Sequence, residues 1–204
     1  MKLYDYPGAP NPRRVKIFAA EKGIELELVH TDMTKREHKT PEFLAKHPSG
    51  KIPVLELDDG TCIGESVAIS RYLEHVVPEP NLFGEPGVEA AIVEMHHRRI
   101  ELELFSQIGI AWVNGPIVAQ MGIVKPIEAA RERGEHLARA FYALLDNELA
   151  SRAFVAGDRF TIADISAVVA IDFATRLVDL KPQADLANLW RWHGEVSARP
   201  SVSA

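Results

Sequence analysis

One cysteine among 204 residues leaves no partner for an internal disulfide and no cysteine-rich zinc site, as expected of a protein from a reducing compartment. Long apolar runs are also missing. The longest, from Ile165 to Ile171, is too short to span a bilayer and carries Ser166. The first residues, MKLYDYPGAPNP, reach prolines before any apolar leader core, so no membrane segment is expected and the cytoplasm is the expected location. No block of Lys and Arg occurs and the formal charge is −6, which argues against a phosphate-backbone partner and hence against nucleic acid. Gly8 stands alone among prolines, so the first turn is no phosphate-cradling glycine loop. His96 and His97 are adjacent, whereas two ligands on one helix face need a separation of three or four, so no metal is expected. Cys62 has no flanking base and suits a buried small hydrophobe.

A hydrophobic fraction of 47% and a charged fraction of 25% are those of a globular protein with one large core or two modest ones. Lys2 to Tyr6 reads as a strand, closed by a loop over residues 7–12. A buried helix through Val15, Ile17 and Phe18 is expected to start near Asn11 or Pro12 and stop at Gly23. Leu26 to Val29 gives a second strand. After a polar stretch from Thr31 to Thr40, a short helix opens at Pro41 and ends before Pro48.

The stretch from Ser49 to Ile69, SGKIPVLELDDGTCIGESVAI, is the most informative. Pro53 cannot donate to a sheet ladder and belongs at the first residue of a strand, with a bend before it. Asp58-Asp59-Gly60 is a hairpin turn between Val54–Leu57 and Thr61–Ile63. Glu65 and Ser66 then stand where a helix begins with its N–H groups unpaired, a place that favours anions; Ser66 also suits a plain N-cap. A bend exposing backbone at Ile52, with a carboxylate and a hydroxyl beside it, suits a short zwitterionic peptide held by its main chain.

Val77 to Gly87 holds three prolines and two glycines without periodicity. The expected organisation is therefore an α/β domain over residues 1–77, a linker over 78–87 and an all-helical domain over 88–204. Within the last, apolar spacing predicts a long helix over 88–114 broken at Gly115-Pro116, a second over 127–150 and an apolar one over 165–175. Thr161 with Asp164 has capping-box spacing and Phe160 with Ile165 has staple spacing. A last short helix carries Trp190, Trp192 and Val196 and ends at Pro200.

GKIPVLELDDG, ESVAI, the Pro-rich linker and VAGDRFTIADI together resemble a cytosolic glutathione transferase over essentially the whole chain, nearest to the atypical fungal-type members and related bacterial ones. The resemblance implies a thioredoxin-like domain with a mixed four-stranded sheet, followed by the helical domain. It implies a cis Pro53, with the Ile52 backbone pairing to the cysteinyl part of glutathione, Glu65 and Ser66 on the γ-glutamyl end, and Lys51 and His38 on the glycyl carboxylate. Glutathione is then a co-substrate, no further cofactor is needed, and the chain forms a homodimer to which Arg98, Arg99 and Glu103 contribute.

The resemblance departs at the thiol-activating position, where most members place Tyr, Ser or Cys and this loop has Ala9. Three sources of thiolate stabilisation are expected instead: the helix start with its N–H groups, through the Ala9 backbone; the Asn11 carboxamide, which equally suits an N-cap; and Tyr6, which strand alternation can also bury. Phe105, Ile108, Trp112, Asn114 and Met121 are the candidates for a site that takes a small apolar electrophile, core packing being the competing role of the apolar ones. The activity implied is transfer of an alkyl or aryl group to the glutathione sulfur, in detoxification. Reduction of a disulfide by glutathione and a non-catalytic glutathione-binding module are the two alternatives.

Overall fold

The computed structural model describes residues 1–203; Ala204, the last residue of the expected helical domain, lies outside them. The chain divides into two compact units, residues 1–82 and 83–203.

In the first unit, the order is β1 (Lys2–Asp5), α1 (Pro10–Glu21), β2 (Glu27–His30), α2 (Pro41–Lys46), β3 (Val54–Glu56), β4 (Cys62–Gly64) and α3 (Ser66–Val76). The four strands lie in the order β2-β1-β3-β4. β1 and β2 are parallel, as a helical crossover requires, while β1–β3 and β3–β4 are antiparallel, giving the mixed thioredoxin-like sheet. Register follows the apolar alternation. Leu3 pairs with Leu55 on one face and Tyr4 with Val54 on the other. Phe43 of α2 covers the second face, in a cluster with Ile52 and Val54, and its ring meets Tyr4 edge-on at 5.7 Å. α1 packs on α3, and Val15 and Phe18 of the one and Ile69 and Leu73 of the other are all buried.

Two details differ from the sequence expectation. α1 starts at Pro10, earlier than the expected Asn11 or Pro12, because proline is tolerated at any place in the first turn and two alternatives stood within it. Ala9 is therefore the N-cap and Asn11 sits inside the helix. Likewise α3 begins at Ser66, with Glu65 as the N-cap at φ 62°, so Ser66 is the first helical residue rather than the cap.

In the second unit, α4 (Val88–Arg99) runs through a π-helical stretch (Ile100–Phe105) into α5 (Ser106–Val113) as one continuous helix. A short α6 (Pro116–Gln120) follows the Gly115-Pro116 break, then α7 (Glu128–Leu149). α8 (Ile162–Phe173) continues into a second π-helical stretch (Ala174–Val178) and is buried along nearly its whole length. Its start is fixed as the capping-box spacing predicts. Thr161 Oγ1 accepts from the Ala163 N–H at 3.3 Å, and Asp164 Oδ2 accepts from the Thr161 N–H at 2.9 Å. Asp164 also takes the Trp192 Nε1–H and the Val155 N–H, both at 2.8 Å, which ties α9 (Ala187–Ser197) and the preceding loop to the helix start. Pro200 does not end the chain's helical structure but opens a further turn, α10 (Pro200–Ser203). His96 and His97 bond separately, to Arg152 and Ser166, and no metal-binding cluster occurs among the described residues. No helix among them is long and apolar enough to cross a membrane.

Candidate functional site

Three segments of the first unit meet at a notch of about 90 Å³: the start of α1, the loop before β3 and the start of α3. Asn11, His47, Lys51, Ile52, Pro53, Glu65 and Ser66 line it. Six of these were expected from the sequence.

The loop supplies main chain. The Ile52–Pro53 bond is cis. β3 begins only at Val54, and the Ile52 N–H and C=O have no hydrogen-bond partner among the described residues. They are an open edge that an extended peptide can pair with. At the start of α3, Glu65 presents an exposed carboxylate, and the N–H groups of residues 65–68 are left for a ligand, the first helical bond being donated by Ile69 to the Glu65 carbonyl at 3.0 Å. The buried Ser66 Oγ accepts from Arg14 Nη1 at 3.2 Å. Sequence reasoning misses this arginine because α1 carries other charges, Arg13, Lys16 and Glu21; only its burial beside Val15, Ile17 and Phe18 sets it apart.

The start of α1 is unusually poor in donors. A helix leaves its first four N–H groups unpaired. Here Pro10 and Pro12 have none, and the Ala9 N–H donates to the Tyr6 carbonyl at 3.0 Å. The Ala9 backbone is thus already engaged and is not the free donor the sequence suggested. Only Asn11 retains both its main-chain N–H and its carboxamide without a partner among the described residues, and it faces the notch.

Other expected residues fall elsewhere. His38 is part-buried and does not line the notch: its Nδ1 is buried without a hydrogen bond, and burial together with the Lys39 and Arg36 charges lowers its pKa. Tyr6 packs on the Phe43–Ile52–Val54 cluster and against His30, ring centres 5.7 Å apart, the burial that strand alternation allowed. The residue the sequence missed is His47, which ends α2 and enters the notch. No periodicity marks it; only its position four residues before Lys51 hinted at proximity.

The five residues expected to receive an electrophile are all in the helical unit. Ile108 is fully buried and has no surface to offer. Asn114 is committed to closing a loop, donating from Nδ2 to the Ile110 carbonyl at 2.9 Å and accepting the Ile127 N–H at 2.8 Å. Phe105 is half-buried and Met121 exposed. Trp112, stacked edge-on to Phe173 at 5.4 Å, forms one wall of a cavity of about 270 Å³ that also touches Thr175 and Arg176. Of the residues expected at a subunit interface, Arg99 is spent within the unit on Glu148 at 2.9 Å and Arg98 pairs with Glu101 at 3.1 Å, whereas Glu103 is exposed.

Comparison with known proteins places two segments of the chain in one family. Residues 1–75 match the family model of the glutathione S-transferase N-terminal domain and residues 116–200 that of the C-terminal domain. Glutathione S-transferase 2 of Saccharomyces cerevisiae is 36% identical over 211 residues, covering 99% of this chain and 88% of the yeast protein. Glutathione S-transferase F11 of Arabidopsis thaliana is 32% identical over 207 residues, covering 98% of this chain and 94% of the plant protein. The crystal structure of a glutathione S-transferase domain-containing protein from Marinobacter aquaeolei superposes with a TM-score of 0.90 at 38% identity, covering 99% of this chain and 100% of that one.

Proposed function

The chain belongs to the glutathione S-transferase family and is a glutathione transferase, and within that activity we propose that the notch of the first unit holds glutathione and that Asn11 stabilises its thiolate. The observation that carries this reading is the convergence on one notch of three sets of polar groups with no protein partner: the Ile52 main chain, the α3 N–H groups and Asn11. The cysteinyl segment of glutathione pairs with Ile52 as an added strand. Its α-carboxylate meets the N-terminus of α3 at Ser66, and its ammonium meets Glu65. The sulfur then lies at the start of α1, where the positive helix end and the Asn11 carboxamide N–H favour the thiolate over the thiol.

The thiolate attacks an electrophilic carbon, a carbon–sulfur bond forms, and the leaving group departs with the electron pair of the bond that breaks. No step needs a cofactor. The helical unit supplies apolar surface for a small electrophile, with Trp112 and Phe105 as its part-exposed rings. The chain acts as a cytoplasmic detoxification enzyme and as a homodimer, whose contact surface includes Ile92, Met95 and Leu102, exposed apolar residues on the long helix.

Conjugation of glutathione to a model aryl halide tests the reading. Product formation dependent on Asn11 is expected. Inactivity toward several electrophile classes, with disulfide reduction intact, would instead favour the exchange reaction, in which the protein only presents the thiolate.

A further inference from the structure

Resting on the glutathione reading of the notch, we propose that Arg14 is a positioning residue: its buried guanidinium fixes the Ser66 hydroxyl as a donor toward the notch and so decides which way round the γ-glutamyl end is held. Arg14 stands one turn before Phe18 on the buried face of α1 and is itself 1% exposed. Arginine is almost never taken so far from water unless it is paired. From this position it reaches the first residue of α3, Nη1 donating to Ser66 Oγ at 3.2 Å.

The chemistry of the two groups gives this bond one direction. A guanidinium has donors only and keeps its charge, so it cannot accept the Ser66 hydrogen. A hydroxyl has one hydrogen and two lone pairs; Arg14 takes a lone pair and leaves the hydrogen. The main chain of the same residue is held separately, its carbonyl accepting from Ser70 Oγ at 2.9 Å. No acceptor for the Ser66 hydroxyl hydrogen occurs among the described residues, although Ser66 is only 6% exposed and lines the notch.

A nearly buried donor without an acceptor is matched by a ligand that brings one. Of the two charged groups at the γ-glutamyl end, the carboxylate only accepts and the ammonium only donates, so the hydroxyl as Arg14 sets it tells them apart. The carboxylate goes to Ser66 and leaves the ammonium to Glu65. The orientation of this end is thus settled in the protein before the peptide arrives, and no side-chain ordering is left to be done on binding. Without Arg14 the hydroxyl turns freely and the discrimination weakens.

The test measures, by calorimetry on the full chain, the Kd of glutathione and of 4-aminobutyryl-cysteinylglycine, which is glutathione without its α-carboxylate. Wild type, Arg14→Met and Arg14→Lys are compared, each with and without Ser66→Ala, and far-UV circular dichroism checks that each is folded. Wild type is expected to prefer glutathione. In Arg14→Met that preference falls about threefold to tenfold, the cost of ordering one freed side chain on binding. In the Ser66→Ala background the same replacement leaves the preference unchanged, as it does when one residue acts only through the other. Arg14→Lys keeps a buried cation without the planar fork, so it carries the test where Arg14→Met does not fold, with a smaller fall of the same dependence on Ser66. No fall, a loss shared equally by both peptides, or a fall that persists with Ser66→Ala overturns the role of Arg14 while leaving the glutathione site in place. Failure of wild type to bind either peptide overturns the underlying reading as well.

Discussion

Replacing Asn11 by alanine should raise the pKa of protein-bound glutathione by about one to two units. The figure follows from the donor inventory at the start of α1. Two of the four N–H groups that a helix normally leaves open are absent at Pro10 and Pro12, and a third, on Ala9, is bonded to Tyr6. The carboxamide of Asn11 is thus one of two donors left, the other being its own main-chain N–H. A hydrogen bond to a charged partner contributes about 1.5–3 kcal/mol. With 1.36 kcal/mol per pKa unit, losing it moves the thiol by about one to two units. The alanine variant keeps the main-chain N–H and the helix start, so the shift isolates the side chain. The assay is ultraviolet absorbance of the thiolate in protein saturated with glutathione, followed over pH, with the pH profile of conjugation measured alongside. Both apparent pKa values should rise together, and the rate at neutral pH should fall about tenfold or more. An unchanged thiol pKa in a variant that still binds glutathione would refute the assignment, because no other partner-free side chain of α1's first turn is available to explain it.

The other expectations concern binding and stability. Ser66→Ala should weaken glutathione binding, measured by calorimetry, by about 1 kcal/mol or more, and an unchanged Kd would remove Ser66 from the site. Asp164→Ala leaves the N–H groups of Val155, Thr161 and Trp192 and the Thr161 hydroxyl without their buried acceptor, at 2.8, 2.9, 2.8 and 3.2 Å. At about 1–3 kcal/mol for each unmet group, partly relieved by water and relaxation, the helical unit should lose about 4 kcal/mol or more. All tryptophans lie in that unit, so their fluorescence in a urea titration reports it directly, and a loss below about 1 kcal/mol would contradict the network. His96, whose Nε2 accepts from Arg152 Nη1 at 2.9 Å, has its pKa lowered from 6.5 by burial and then by the Arg152 charge. The native state therefore resists a proton that the unfolded chain takes up. The corresponding stability is present above 6.5 and declines as pH falls through that value, and His96→Gln should flatten the decline. Asp164 acts with the opposite sign: burial pushes its pKa from 3.8 up to about 6, so the native state keeps a proton the unfolded chain has lost. Its contribution should fall as pH rises across that interval. A decline on acidification that persists unaltered in His96→Gln would exclude His96 as its source.

How much of the fold could be read from the residues depended on whether the cause was local. The proline before Val54, the Asp59-Gly60 turn and the Glu65-Ser66 helix start act within a few residues of themselves, and the hairpin and α3 stand where they imply. The Thr161–Asp164 box is equally local. Where one turn contained two admissible starts, as with Pro10 and Pro12, the sequence could not choose. The choice moved Asn11 from a capping place to one facing the notch. His47 was invisible for a different reason: its ring enters the notch beside Gly64 of β4, seventeen residues on in the chain, a proximity no local pattern marks.

The long helix shows why periodicity identified apolar residues there without saying which face each would take. Val93, His97, Ile100, Leu104, Ile108 and Ala111 are buried at one helical period along α4, the π-helical stretch and α5, so Ile108 takes the core role that competed with a ligand surface, while Ile92, Met95 and Leu102, apolar but off that stripe, are exposed. The two asparagines singled out from the sequence make the same point about polar side chains. Asn114 ends a helix and spends both ends of its carboxamide on the chain, on Ile110 and Ile127, which leaves it nothing for a substrate. Asn11 opens a helix between two prolines and spends neither, and a polar group left unmatched at a notch lined by other unmatched groups is matched by what binds there.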